Sequence, residues 1–187
     1  MPYPAQTSRE QILDAAEALI ERIGADHLAL ATLATALGIK PPSLYRHIAS
    51  KAELIQSLVT RTYERLFAAY AVALNEAEAD PVVQLYQVLR AHRAFAHAHP
   101  ASYLLAFRTS ATEERPDDAA LTTLVLPLQA RMAALSGEEA SLTALRGALA
   151  LVHGFVLLEL HGQLRRGGDL GAAFDAAVLA YLRGWRC

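Results

Sequence analysis

Cysteine is almost missing from this chain: its single copy, Cys187, is the last residue. That excludes an intrachain disulfide framework and a cysteine-based zinc site, and it fits a reducing compartment. Charge of one sign does not accumulate either, since 17 Lys+Arg stand against 19 Asp+Glu. Nothing global therefore advertises nucleic acid, and any such contact must come from a local patch. The opening MPYPAQTSRE has no basic stretch followed by an apolar one, so no signal peptide is expected and the cytoplasm is the expected location. One long apolar run does exist, 147–164, but His153, Glu159, His161 and Gln163 interrupt it. Ionisable groups are costly inside a bilayer, so a buried or dimer-facing helix is expected there, not a membrane span.

What is abundant is alanine and leucine, within 187 residues that are 53% hydrophobic but only 7% aromatic. Both are strong helix formers, which points to an all-α chain large enough to bury a core. Ser8 and Gln11 have the spacing of a capping box, and Ile12, Leu13, Ala16, Leu19, Ile20 and Ile23 follow at helical period until Gly24. Glu10, Asp14, Glu17 and Glu21 occupy the other, solvated face of this first helix.

Leu30, Leu33, Ala34 and Leu37 make a short second helix, broken at Gly38. Pro41 and Pro42 are tolerated only in a helix's first turn, so they start a third helix that runs to Ile48. Ser50 and Glu53 form a second capping box and open a long fourth helix to about Asn75, followed by the acidic break NEAEADP. Helical patterns continue over 81–97, from Pro100 to about Ser110, over 118–135 with Pro127 kinking or interrupting it, and over 138–165. After Gly167-Gly168 a last helix spans 170–185, and no strand pattern is present.

Three short helices, the second and third joined by a tight glycine turn, form a helix-turn-helix unit, whose third helix presents side chains to the major groove. Local charge agrees. Residues 38–52 carry Lys40, Arg46, His47 and Lys51 and no acid, whereas 1–66 as a whole balance, seven Lys+Arg against seven Asp+Glu. Lys51 sits where free helix N–H groups suit a phosphate oxygen.

The segment SREQILDAAEALIERIGADHLALATLATALGIKPPSLYRHIASKAELI resembles, along its whole length, the N-terminal domain of the TetR family of regulators. The marks are ILDAA, the Gly24 break, LATALGI, PSLYRHI and SKAEL, in order and at matching spacing. The body resembles the C-terminal type named for a Trp-His-Gly signature, with Val152-His153-Gly154 at that place and Val in the position of Trp. The resemblance implies that Tyr45 and His47 contact phosphates and that Lys51 anchors the backbone. It implies that Lys40, Pro41, Pro42, Ser43 and Arg46 approach bases. Ala29 and Ala31 depart from the family's usual Ser or Thr and Arg, which removes a helix cap and phosphate contacts.

The expected layout is a DNA-binding head over 1–50 and a ligand-binding, dimerising body over 51–187, with 51–75 as linking helix. No nucleophile elbow, phosphate loop or HExxH occurs, so an enzyme is not expected, nor a cofactor. His92 and His97 are five residues apart and His99 precedes a proline, which makes a poor metal set. The resemblance implies instead a small-molecule cavity, with Tyr86, Phe95, Tyr103, Phe107, Met132, His153, Phe155 and His161 as candidate lining. Gly147, Gly154 and His161 recur every seven residues, a stripe that permits close approach of another helix. The expected partners are double-stranded operator DNA, a small effector and a second copy bound through the last two helices. The alternative is a helical small-molecule-binding protein whose head no longer binds DNA.

Overall fold

The computed structural model describes residues 7–77, 79–108 and 114–186; Cys187, the opening six residues and parts of the NEAEADP and TEERPDD segments lie outside them. Among these residues the architecture is entirely helical: α1 Arg9–Ile23, α2 Leu30–Ala36, α3 Pro41–Leu44, α4 Lys51–Glu76, α5 Pro81–Ala98, α6 Pro100–Arg108, α7 Asp118–Ser136, α8 Glu138–Leu160 and α9 Leu170–Gly184. They divide into two compact units.

The first unit holds residues 1–63 and 99–117. It therefore extends past the expected limit at residue 50, taking in the first half of α4 and all of α6. The capping box that opens α1 is complete, with Gln11 N–H donating to Ser8 Oγ at 3.2 Å and Ser8 N–H to Gln11 Oε1 at 2.9 Å. Ile12, Leu13, Ala16, Leu19 and Ile20 are buried with Leu33, Leu44, Ile48, Leu54, Leu58, Leu105 and Ala106 in one apolar core.

The acidic face of α1 is not simply solvated. Arg61 of α4 pairs with Asp14 and lies 3.5 Å from Glu17. Glu21 caps α6, accepting from the N–H groups of Ala101 and Ser102 at 3.0 and 2.9 Å and from Ser102 Oγ at 2.6 Å. A carboxylate is well placed at a helix start, where backbone donors lack intrahelical partners.

The second unit holds 64–98 and 118–187. Its core is built from Leu66, Leu85, Val88, Leu128, Met132, Ala148, Val152, Phe174 and Val178. Pro127 sits inside α7, which continues past it to Ser136. Helix α8 ends five residues before the expected Arg165, because Gly162 takes φ 61°. Gly162 N–H then bonds Glu159 O and Gln163 N–H bonds Leu158 O, at 2.9 and 2.8 Å, the paired bonds of a Schellman cap. Inside the apolar α8, Glu159 receives two bonds from Arg93 of α5 at 2.8 and 2.6 Å. Burial pushes this carboxyl up, but Arg93 and His97 outweigh it and hold the acid below its usual range.

Gly147 has a partner within the chain: an added Cβ would collide with the ring of Tyr181 on α9, whose hydroxyl donates to Ala144 O at 2.8 Å. By length and composition α7 and α8 could each cross a membrane, and only 28% of each apolar window is buried within the chain.

Leu44 is fully buried and is the one core contact of α3 itself. Replacing it with alanine is expected to destabilise the chain by about 2–5 kcal/mol, the usual range for a buried leucine, as measured by urea unfolding; a change within 0.5 kcal/mol would contradict this packing.

Candidate nucleic-acid interface and ligand cavity

The turn before α3 is fixed by backbone geometry. Gly38 adopts φ 66°, its N–H bonds Thr35 O at 3.1 Å, and Ile39 N–H reaches Ala34 O at 3.0 Å. This Schellman cap stops α2 and turns the chain into Lys40, the residue that precedes α3. Pro41 and Pro42 occupy its first turn. The helix proper is only four residues long, shorter than the sequence suggested, and a turn closed by His47 N–H and Ile48 N–H on Leu44 O carries the segment onward.

Leu44 and Ile48 point into the core at 0% exposure, while Tyr45 is 53% exposed. Lys40, Pro41, Pro42, Arg46 and Lys51 are exposed as well, and Ser43 and His47 are half-buried. Arg46 Nη2 donates to Ser43 Oγ at 3.2 Å. The segment thus has an apolar inner side and an outer side bearing cations, a phenol and a hydroxyl. Ala29 precedes α2 without any side-chain cap.

A residue the sequence reading did not single out braces this segment from behind. Arg9 Nη1 donates to His47 O at 2.9 Å and to Glu53 Oε1 at 2.7 Å, and its Nη2 to Ser57 Oγ at 2.7 Å. Ser50 Oγ accepts from Glu53 N–H at 3.1 Å as a cap should, but the Glu53 carboxylate turns to Ala49 N–H at 2.6 Å rather than to Ser50. The second capping box is therefore half formed, its carboxylate shared between Arg9 and Ala49. No local pattern could reveal this, because the partners are 44 residues apart. Arg9, then the Ala49 N–H, holds the Glu53 carboxyl below the ordinary carboxylate range.

The second unit contains a narrow, partly open cavity of about 100 Å3 lined by Phe67, Tyr70, Leu85, Val88, Leu89, His92, Val125, Leu128, Met132, Leu145, Ala148 and Leu149. Tyr70 Oη and His92 Nδ1 are 2.5 Å apart. Burial pushes the His92 pKa down to about 3, with the charge of His153 adding to the effect, so the imidazole is neutral. A wider groove between α4 and α5, about 630 Å3 with Ala69, Val72, Ala73 and Arg90 among its walls, is open to water.

Of the eight residues expected to line a cavity, Met132 lines this one. Tyr103 and Phe107 lie in the first unit, their rings 4.5 Å apart with Tyr63 beside Phe107. Tyr86 has Arg90 over its ring, and Phe155 packs edge-on against Phe174. Phe95 and His153 are half-buried on α5 and α8. His161 is exposed at the end of α8, with Nδ1 2.8 Å from Leu157 O. Tyr70 and His92 were legible as packed and as histidine, but nothing in their spacing showed that they meet. Among the described residues no three His, Cys, Asp or Glu side chains gather as a metal site would require.

A helix-turn-helix with an outward cationic segment, joined to a helical unit with an apolar cavity, defines a DNA-binding regulator with a ligand-binding domain. The comparisons agree. Residues 12–58 match the family of bacterial regulatory proteins of the tetR type, and 85–181 match the tetracyclin repressor-like C-terminal domain. The HTH-type transcriptional regulator Rv0681 of Mycobacterium tuberculosis is 35% identical over 97% of this chain and 83% of its own length. A protein of unknown function from Rhodococcus sp. RHA1 shares the fold over 100% of both chains, at TM-score 0.84 and 24% identity. A TetR variant from Acinetobacter baumannii AYE, solved in complex with minocycline, aligns over 95% of this chain and 96% of its own at TM-score 0.71 and 22% identity. The chain belongs to the TetR family of transcriptional regulators.

An NMR titration should place the Glu53 midpoint below the ordinary glutamate value of 4.5, and Arg9→Gln should raise it towards that value. A depressed carboxyl stabilises the fold above its unfolded pKa and loses that contribution as pH falls through the folded one. The wild type should therefore lose more stability than Arg9→Gln between pH 5 and 3; equal losses, or an unmoved Glu53, would contradict the brace.

Proposed function

We propose that this chain is a ligand-responsive homodimeric regulator, a repressor released from a palindromic operator by a small molecule. The observation that carries the reading is the α3 segment. Its inner side chains Leu44 and Ile48 are sealed in the core, and its outer residues Lys40, Ser43, Tyr45, Arg46 and Lys51 stand together without an acid among residues 38–52. Tyr45, His47 and Lys51 are assigned to phosphates, and Lys40, Pro41, Pro42, Ser43 and Arg46 to base edges. Phosphate contacts fix register, whereas base contacts specify sequence.

Dimerisation through α8 and α9 is supported by the apolar side chains that α8 leaves uncovered. Leu142, Leu149 and Leu158 are 40, 44 and 39% exposed, and the space around Gly154 is open. A symmetric dimer would set two α3 segments on successive major-groove turns of a palindrome. The effector would occupy the cavity lined by Met132, Tyr70 and His92. The Acinetobacter TetR variant, solved in complex with minocycline, is a precedent for a protein of this fold that binds a small organic molecule. Coupling of about 1–3 kcal/mol between the two sites would change operator affinity about 5–150-fold. The uncapped start of α2 at Ala29 favours a second reading, a small-molecule-binding protein that has lost DNA.

Fluorescence anisotropy with the duplex upstream of the chain's own gene separates the two readings. The regulator is expected to bind tightly and to weaken linearly in log–log form with salt. Tyr45→Ala should lower affinity for all duplexes alike, whereas Lys40 or Ser43 substitutions should change sequence preference. No salt-sensitive complex would favour the second reading. Leu158→Glu is expected to shift the dimer towards monomer in analytical ultracentrifugation, and an unchanged mass would place the interface elsewhere.

A further inference from the structure

We infer that the effector is an uncharged, slim, predominantly apolar molecule carrying at most one or two hydrogen-bonding groups. This deepens the reading above and rests on it. Among the described residues that line the cavity none bears a formal charge, and its polar side chains are Tyr70 and His92, hydrogen-bonded to each other. An ionised ligand would enter without a counter-charge, and burying an unpaired ion is prohibitive. His92 supplies no cation, because its burial at 1% exposure disfavours the imidazolium.

Size follows from the same walls. The cavity of about 100 Å3 is smaller than the roughly 150 Å3 that accommodates benzene in an apolar protein interior. A short alkyl chain or one edge of a single ring fits without rearrangement. Met132, flexible and fully buried at its wall, allows some repacking.

Met132 also supplies the reporter, since the chain has only two methionines and the other is Met1. Full-length protein labelled with methyl-13C methionine is titrated at pH 7.5 with 1-hexanol, hexanoate and hexylammonium, which share one alkyl chain. The Met132 methyl signal is expected to move saturably with hexanol, and both ions should bind at least tenfold more weakly. Ala148→Leu, or Val125→Trp should the first not fold, should abolish the shift by filling the cavity. Ions binding as tightly as the alcohol, or a Met132 signal unmoved up to the solubility of hexanol, would overturn the inference. The operator titration is separate: no DNA binding by the ligand-free protein, with hexanol binding intact, would sink the regulator reading and leave the cavity's selectivity standing.

Discussion

The outward-facing side chains of the α3 segment depend on how a four-residue helix is held. So short a helix has almost no intrinsic stability, since nucleation fixes several residues for very few hydrogen bonds. Its order comes from outside. Leu44 and Ile48 are sealed against α1, α2 and α4 in the apolar core, Gly38 turns the chain at one end, and Arg9 with Glu53 holds His47 and Ala49 at the other. Prolines at the first two positions add stiffness, because their φ is already helical and they surrender no needed donor. The outward side chains of Tyr45 and Arg46 are held from behind as a result.

The second unit solves a different problem. Its helices are so apolar that periodicity gives little sense of inside and outside, and α8 keeps large leucines at its surface. Polar groups are correspondingly few and paired: Glu159 with Arg93 and His97, Tyr70 with His92, and Tyr181 with the Ala144 carbonyl. Each satisfies a group that would be expensive to bury alone. What remains is a cavity whose wall is nearly all hydrocarbon.

Much of this was readable beforehand. Capping residues, glycine breaks and the double proline placed the early helices, and the Ser8–Gln11 box formed as its spacing implied. Local rules failed where long-range partners intervened. Glu53 left its box because Arg9 competes for the carboxylate, and Glu21 became the cap of a helix 80 residues away. Gly147, read as permitting close approach of another helix, makes room for Tyr181 of α9. The cavity was the least legible part. Its lining comes from α4, α5, α7 and α8, and an aromatic at helical spacing looks the same in sequence whether it faces a cavity or a solid core.

The most direct test of the account is an amide NMR map of the chain with and without a palindromic duplex that binds it. If α3 is the reading surface, the largest perturbations fall on residues 38–52, with a weaker set at the Arg9 brace. Perturbations absent from 38–52 while the duplex stays bound would contradict it.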